Sequence, residues 1–110
     1  MKTVFHYAPV DDLERGAAFY RDTLGLEEAW RDDVNTIAFA LPDGVQVMVS
    51  THAKPAGPMY RVDDLAAWTA EHAGVRVVVE RYDIPGGAVA GFADVDGNVF
   101  YVFDLPNPQD

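Results

Sequence analysis

Few residues of this 110-residue chain could do chemistry: three histidines, three pairs of adjacent aspartates and a set of aromatic side chains. His6, His52 and His72 are the only imidazoles, whereas a transition-metal site needs at least three well-placed nitrogen, sulfur or carboxylate donors. They are expected on a first strand, in a linker and on a helix flank, where satisfied or exposed histidines are ordinary. The carboxylate pairs Asp11/Asp12, Asp32/Asp33 and Asp63/Asp64 have the look of general acid–base machinery. The first and third stand just before runs of helical period, where aspartate caps a helix, and the second stands in a turn. Each pair therefore has a structural explanation. Cysteine is absent, which removes disulfides, thiolate catalysis and cysteine-based zinc or iron–sulfur sites together.

The aspartates also expose the plan of the chain. The word VDDL occurs at Val10–Leu13 and again at Val62–Leu65, 52 residues apart. Two Asp-Gly turns running into apolar strands, PDGVQVMVS from Pro42 and VDGNVFYVF from Val95, stand 53 apart. Two separate signals sharing almost one period mark an internal repeat. Each copy then reads as one βαβββ unit.

In the first copy Thr3–Pro9 is β-branched and aromatic and predicts a strand. Asp11 with Glu14 makes a capping-box-like pair, and Asp12 is the alternative cap. Leu13, Ala17, Tyr20 and Leu24 recur at helical spacing up to Gly25, a stop residue. Strands are expected at Leu26–Arg31, Asn35–Leu41 and Val45–Thr51, with turns at RDDVN and PDG between them. In the second copy MYRV predicts a strand, DDLAAWTAEHAG a helix stopped by Gly74, and RVVVERYDI a strand. Pro85–Gly87 turns the chain into the last two strands, GAVAGFAD and NVFYVFD, and LPNPQD is a polar tail. The expected organisation is a single domain over 1–110, with module 1 at about 1–51, a linker at 52–58 and module 2 at about 59–105. Such units place helices on one face of a curved sheet and leave the other face to enclose something.

A chain of this length buries roughly two-thirds of the surface it exposes when unfolded, so neither half has enough apolar surface for a core of its own. The formal net charge is −10, with nine acids in each half against five Lys/Arg in residues 1–55 and three in 56–110. No basic patch exists, so nucleic acid and anionic membrane are poor partners, both of which demand clustered Lys and Arg. The N-terminus MKTVFHYAP has no long apolar run, and no segment approaches the roughly 20 apolar residues of a membrane span. A cytoplasmic location is the expectation.

Together, DDLERGAAFYRDTLGL and FADVDGNVFYVFD resemble the two signatures of the vicinal oxygen chelate superfamily, which holds glyoxalase I, bleomycin-resistance proteins and extradiol dioxygenases. Val95 departs from the proline usual there. The resemblance implies an α+β fold, two βαβββ modules forming a cupped, barrel-like mixed sheet with helices on the convex face, often within a homodimer. It also implies a divalent metal held by ligands from the first and last strands of each module. Those positions fall on Phe5, Met48, Gly57 and Tyr101, none a plausible ligand in a His/Glu set. A register shifted by one brings His6 inward, but a single histidine makes no site.

With Phe5 and Tyr101 turned inward, alternation puts Tyr7, Gln46, Met48, Ser50, Met59, Arg61, Val99 and Phe103 on the same side, and Trp30 and Phe39 are candidates to join them. An aromatic, apolar wall with a few polar handles suits an organic ligand. The site is therefore expected at Phe5, Tyr7, Trp30, Phe39, Met48, Met59, Arg61, Tyr101 and Phe103, with no metal and no cofactor. Truncation of Tyr101 is expected to weaken ligand binding more than it weakens the fold. The leading functional expectation is a metal-independent small-molecule binder that sequesters an aromatic or cationic compound. The rivals are a metal-dependent lyase, isomerase or dioxygenase using His6, and a dimer with a solid core. Expected partners are a small-molecule ligand and a second copy of the chain.

Overall fold

The second aspartate of each VDDL word performs the same task. Asp12 and Asp64 both have extended backbones, and their carboxylates accept the N–H three residues on, from Arg15 at 3.0 Å and from Ala67 at 3.0 Å. Each thereby satisfies one of the orphan donors at a helix start. The computed structural model describes residues 1–32 and 34–107, so Asp33 and the end of the polar tail lie outside the described residues.

The repeat extends to the backbone. Leu41 N–H donates to Val45 O and Gly44 N–H to Leu41 O, and 53 residues later Asp94 N–H donates to Asn98 O and Gly97 N–H to Asp94 O. Gly44 and Gly97 both take a positive φ, 90° and 87°, which Asp-Gly turns require. Val10 N–H donates to Ser50 O and Val62 N–H to Phe103 O, fixing the start of each helix to the end of its module's last strand.

The chain divides into two compact units, residues 4–56 and residues 1–3 with those from Gly57 on. The first contains β1 (Lys2–Pro9, from its third residue), α1 (Leu13–Ala18), β2 (Glu27–Arg31), β3 (Thr36–Ala40) and β4 (Gln46–Ser50), with strand order β2-β3-β4-β1. β1 runs parallel to β4, and the other pairings are antiparallel. The second contains β5 (Gly57–Arg61), α2 (Leu65–Glu71), β6 (Arg76–Ile84), β7 (Gly87–Ala93) and β8 (Val99–Asp104), in the order β5-β8-β7-β6. Gly57 and Pro58, expected in the linker, are already strand. Among the described residues no helix is long and apolar enough to cross a membrane.

Each helix covers one face of its own sheet. Ala17 of α1 packs with Ile37, Phe39, Val47 and Val49, and Leu65 of α2 packs with Ala88, Ala90, Phe92 and Val102. Two expectations about helix ends are corrected. The chain leaves α1 through a π-helical turn at Phe19–Thr23, where Leu24 N–H reaches back five residues to Phe19 O. That wider turn carries Leu24 off the apolar face, and it is 51% exposed while Leu13, Ala17 and Tyr20 stay on the core. Gly74 does not stop α2, which ends at Glu71 with His72 as its cap, and its φ is not positive.

Turns in both units are closed by aspartates. Asp32 Oδ1 accepts the N–H groups of Val34, Asn35 and Thr36; burial opposes its ionisation, but these donors outweigh that and hold its carboxyl below the usual range. Asp94 is held low first by the Asn98 amide, then by the N–H groups of Asn98 and Asp96.

Candidate functional site

In the first unit, the face away from α1 carries the aromatic residues the sequence pointed to. Phe5 pairs with Gln46 and Tyr7 with Met48 across β1 and β4, while Ala38 and Ala40 of β3 lie opposite Met48 and Gln46. Trp30 on β2 pairs with Ala38 and so shares this face. Its indole Nε1–H donates to Gln46 Oε1 at 2.8 Å. β2 and β4 lie on either side of β3, about 9–10 Å apart, so the indole reaches across β3. The reach is open because Ala38 and Ala40 present only methyl groups there. Phe5 meets the indole edge-on, with centroids 6.2 Å apart and planes at 90°. Trp30 is 39% exposed, so part of this fixed ring faces outward.

The other end of the same face is polar and closed. Thr36 Oγ1 donates to Ser50 Oγ at 3.1 Å, both residues being buried, and the Tyr7 hydroxyl donates to His52 O at 2.7 Å. Tyr7 is buried, whereas Phe5, Gln46 and Met48 are half-buried. Phe39 is a correction. It lies on the opposite face, fully buried under α1 and stacked on Tyr20 at 5.9 Å, because its β3 neighbours Ala38 and Ala40 take the open side.

In the second unit Met59, Arg61, Tyr101 and Phe103 share the face away from α2, since Met59 pairs with Tyr101 and Arg61 with Phe103. Only Arg61 is exposed. Tyr101 is 1% exposed, with its ring against Gly91 on β7, where a Cβ would come within 3.0 Å of Tyr101 Cε1 and 2.8 Å of Val79 Cβ. Tyr101 thus fills the space left by Gly91.

The histidines do not converge. His6 pairs with Val47 on the α1 side of its sheet, His52 is exposed after β4, and His72 stacks on Trp68 at 4.2 Å with its Nδ1 2.7 Å from Trp68 O. Among the described residues no three His, Asp or Glu side chains are grouped to hold a metal ion. Of the aspartate pairs, Asp12, Asp64 and Asp32 serve caps and a turn.

The family model described as Glyoxalase/Bleomycin resistance protein/Dioxygenase superfamily matches residues 3–102. The chain belongs to that superfamily. Its fold agrees: a glyoxalase/bleomycin resistance protein/dioxygenase superfamily member from Vibrio splendidus is similar with a TM-score of 0.64 at 21% identity, covering 94% of this chain and 97% of that one. Methylmalonyl-CoA epimerase from Mycobacterium tuberculosis is similar with a TM-score of 0.67 at 19% identity, covering 99% and 89%. NAD-dependent benzaldehyde dehydrogenase from Legionella pneumophila is similar with a TM-score of 0.72 at 11% identity, covering 92% and 97%. No curated protein sequence matches this superfamily member.

The residues at its four expected chelating positions do not fit a divalent metal. Phe5 and Gly57 offer no donor, Met48 a soft thioether, and Tyr101 a phenol in place of a carboxylate or imidazole. At Gly57 a side chain has nowhere to start, because a Cβ there would fall on the carbonyl oxygen of Val99 in β8. The sequence left the face of Trp30 and its bond to Gln46 unread. The deciding feature is an irregularity between Glu28 and Trp30, which adds one residue to β2 against β3.

Proposed function

We propose that this superfamily member is a metal-independent binder of a small organic molecule, held at the Trp30 end of the sheet face away from α1 in residues 4–56. The observation that carries the reading is the Trp30 ring, pinned by Gln46, walled by Phe5 and partly exposed. A ring fixed in advance loses little freedom when a flat molecule stacks on it. The chemistry of Phe5, Met48, Gly57 and Tyr101 supports the absence of a chelated metal from the working site. The acidic, cysteine-free composition supports work in the cytoplasm.

Titration of one- and two-ring aromatic compounds into a Trp68→Phe protein, which leaves Trp30 as its sole tryptophan, is expected to give saturable fluorescence changes. Trp30→Leu should weaken that binding by about 1–2 kcal/mol, and His6→Ala should leave it unchanged. About one tightly bound Zn, Ni, Mn or Fe per chain in protein purified without chelator would instead favour a metal-dependent lyase, isomerase or dioxygenase.

A homodimer is proposed as well. The first unit's sheet ends on β2 and the second's on β6, and such edges are commonly covered by a second chain. Sedimentation velocity at micromolar concentration should give about twice the chain mass, and a monomer would remove this proposal.

A further inference from the structure

Resting on that reading, we infer that the Trp30 platform selects a flat organic cation over neutral and anionic molecules of the same shape. Three independent features of the first unit point this way. The indole N–H is already spent on Gln46 Oε1, so the ring offers a ligand its electron-rich face and no hydrogen bond. Only the oxygen of Gln46 can accept from that N–H, which also fixes the orientation of the amide.

The second feature is charge. Glu27 pairs with Ala40, which pairs with Gln46, so its carboxylate rises from the platform's own face at the edge strand. Glu27 is exposed, and its neighbour Glu28 instead turns to the α1 side, where it pairs with Arg31 at 2.6 Å. The third feature is the placement of cations in residues 4–56. Arg15 lies on α1, Arg21 is bound to Asp22 at 3.0 Å, Arg31 is held on the other face by Glu28, and Lys54 follows the far, Ser50 end of β4. Among the described residues of 4–56, then, no Lys or Arg shares the strand face of Trp30. A cation stacked on the indole gains from the ring's quadrupole and from Glu27 together, whereas an anion meets both as repulsion.

The test uses three two-ring probes of one size, N-methylquinolinium, neutral quinoline and 2-naphthoate, titrated by calorimetry into the full chain at pH 7.5 and low salt. The cation should bind tightest and the anion weakest. Glu27→Gln, at an exposed site that does not bear on folding, should weaken the cation by about three- to fivefold and leave quinoline unchanged, and added salt should shrink the difference. Glu27→Lys should reverse the order of cation and anion. Equal binding of all three probes, or indifference to both Glu27 substitutions, would overturn charge selection while leaving the aromatic platform standing. Binding of none of them, in wild type and Trp68→Phe alike, would remove the platform and this inference with it.

Discussion

Replacing Tyr101 with alanine is expected to lower the free energy of unfolding by about 3–5 kcal/mol, the cost of emptying a fully buried aromatic site. Tyr101 is 1% exposed, and its ring occupies the space that Gly91 leaves on the neighbouring strand. The reciprocal change, Gly91→Ala, drives a methyl group against Tyr101 Cε1 and Val79 Cβ and should cost about 1–3 kcal/mol by overpacking. Tyr101→Phe keeps the ring and should cost less than Tyr101→Ala. Urea unfolding of the three variants measures all of this. A loss under about 1 kcal/mol for Tyr101→Ala, accompanied by a collapse of ligand affinity, would return Tyr101 to the role of a pocket wall. The prediction departs from the sequence expectation of a pocket wall at Tyr101, since a position that the resemblance assigned to a metal ligand is here filled by a buried side chain.

Local chemistry made much of the fold legible. An aspartate before a helical run caps it wherever it occurs, and Asp-Gly closes a tight turn, so the two VDDL words and the two Asp-Gly turns located both copies. Strand faces were legible where one face is polar or small, as in β1 and β4. They were not in β3, where Ile37, Ala38 and Phe39 are all fully buried and no polarity contrast separates the two sides. Phe39 was misplaced for that reason. Trp30 was undetermined for another: with a strict period of two it would share the side of Glu28, and only the extra residue in β2 turns it over. The π-helical turn at Phe19–Thr23 likewise leaves no mark in the residues FYRDT that would separate it from continuing helix. The candidate site thus depends on one irregularity whose energy is settled by packing across strands, beyond the reach of local spacing.

Replacing Asp104 with alanine should cost about 2–4 kcal/mol, more than any other polar truncation in the second unit. Asp104 is 5% exposed at the end of β8, and its two oxygens serve different elements. Oδ2 accepts the N–H of Leu65, the first residue of α2, at 2.7 Å, and Oδ1 accepts the N–H of Ala88 on β7 at 3.0 Å. Leu65 and Ala88 are themselves buried, so both donors would lose their acceptor where little water can replace it. Gly87 is needed beside it, since a Cβ there would fall on the backbone carbonyl oxygen of Asp104 as well as lie 2.7 Å from its Oδ1. The first copy has Thr51 at the matching position, bonded to Asn35 instead, so the repeat gives no substitute for this carboxylate. Asp64→Ala is the internal control: it removes the exposed cap of the same helix and should cost about 1 kcal/mol. Asp104→Asn keeps one acceptor but sets an amide N–H against a backbone donor, and should fall between the two. Hydrogen exchange separates the causes, because Asp104→Ala should speed exchange at Leu65 and Ala88, and Asp64→Ala at Ala67 alone. An Asp104→Ala protein no less stable than Asp64→Ala, with Ala88 still protected, would mean that the carboxylate is not what ties α2 to the sheet.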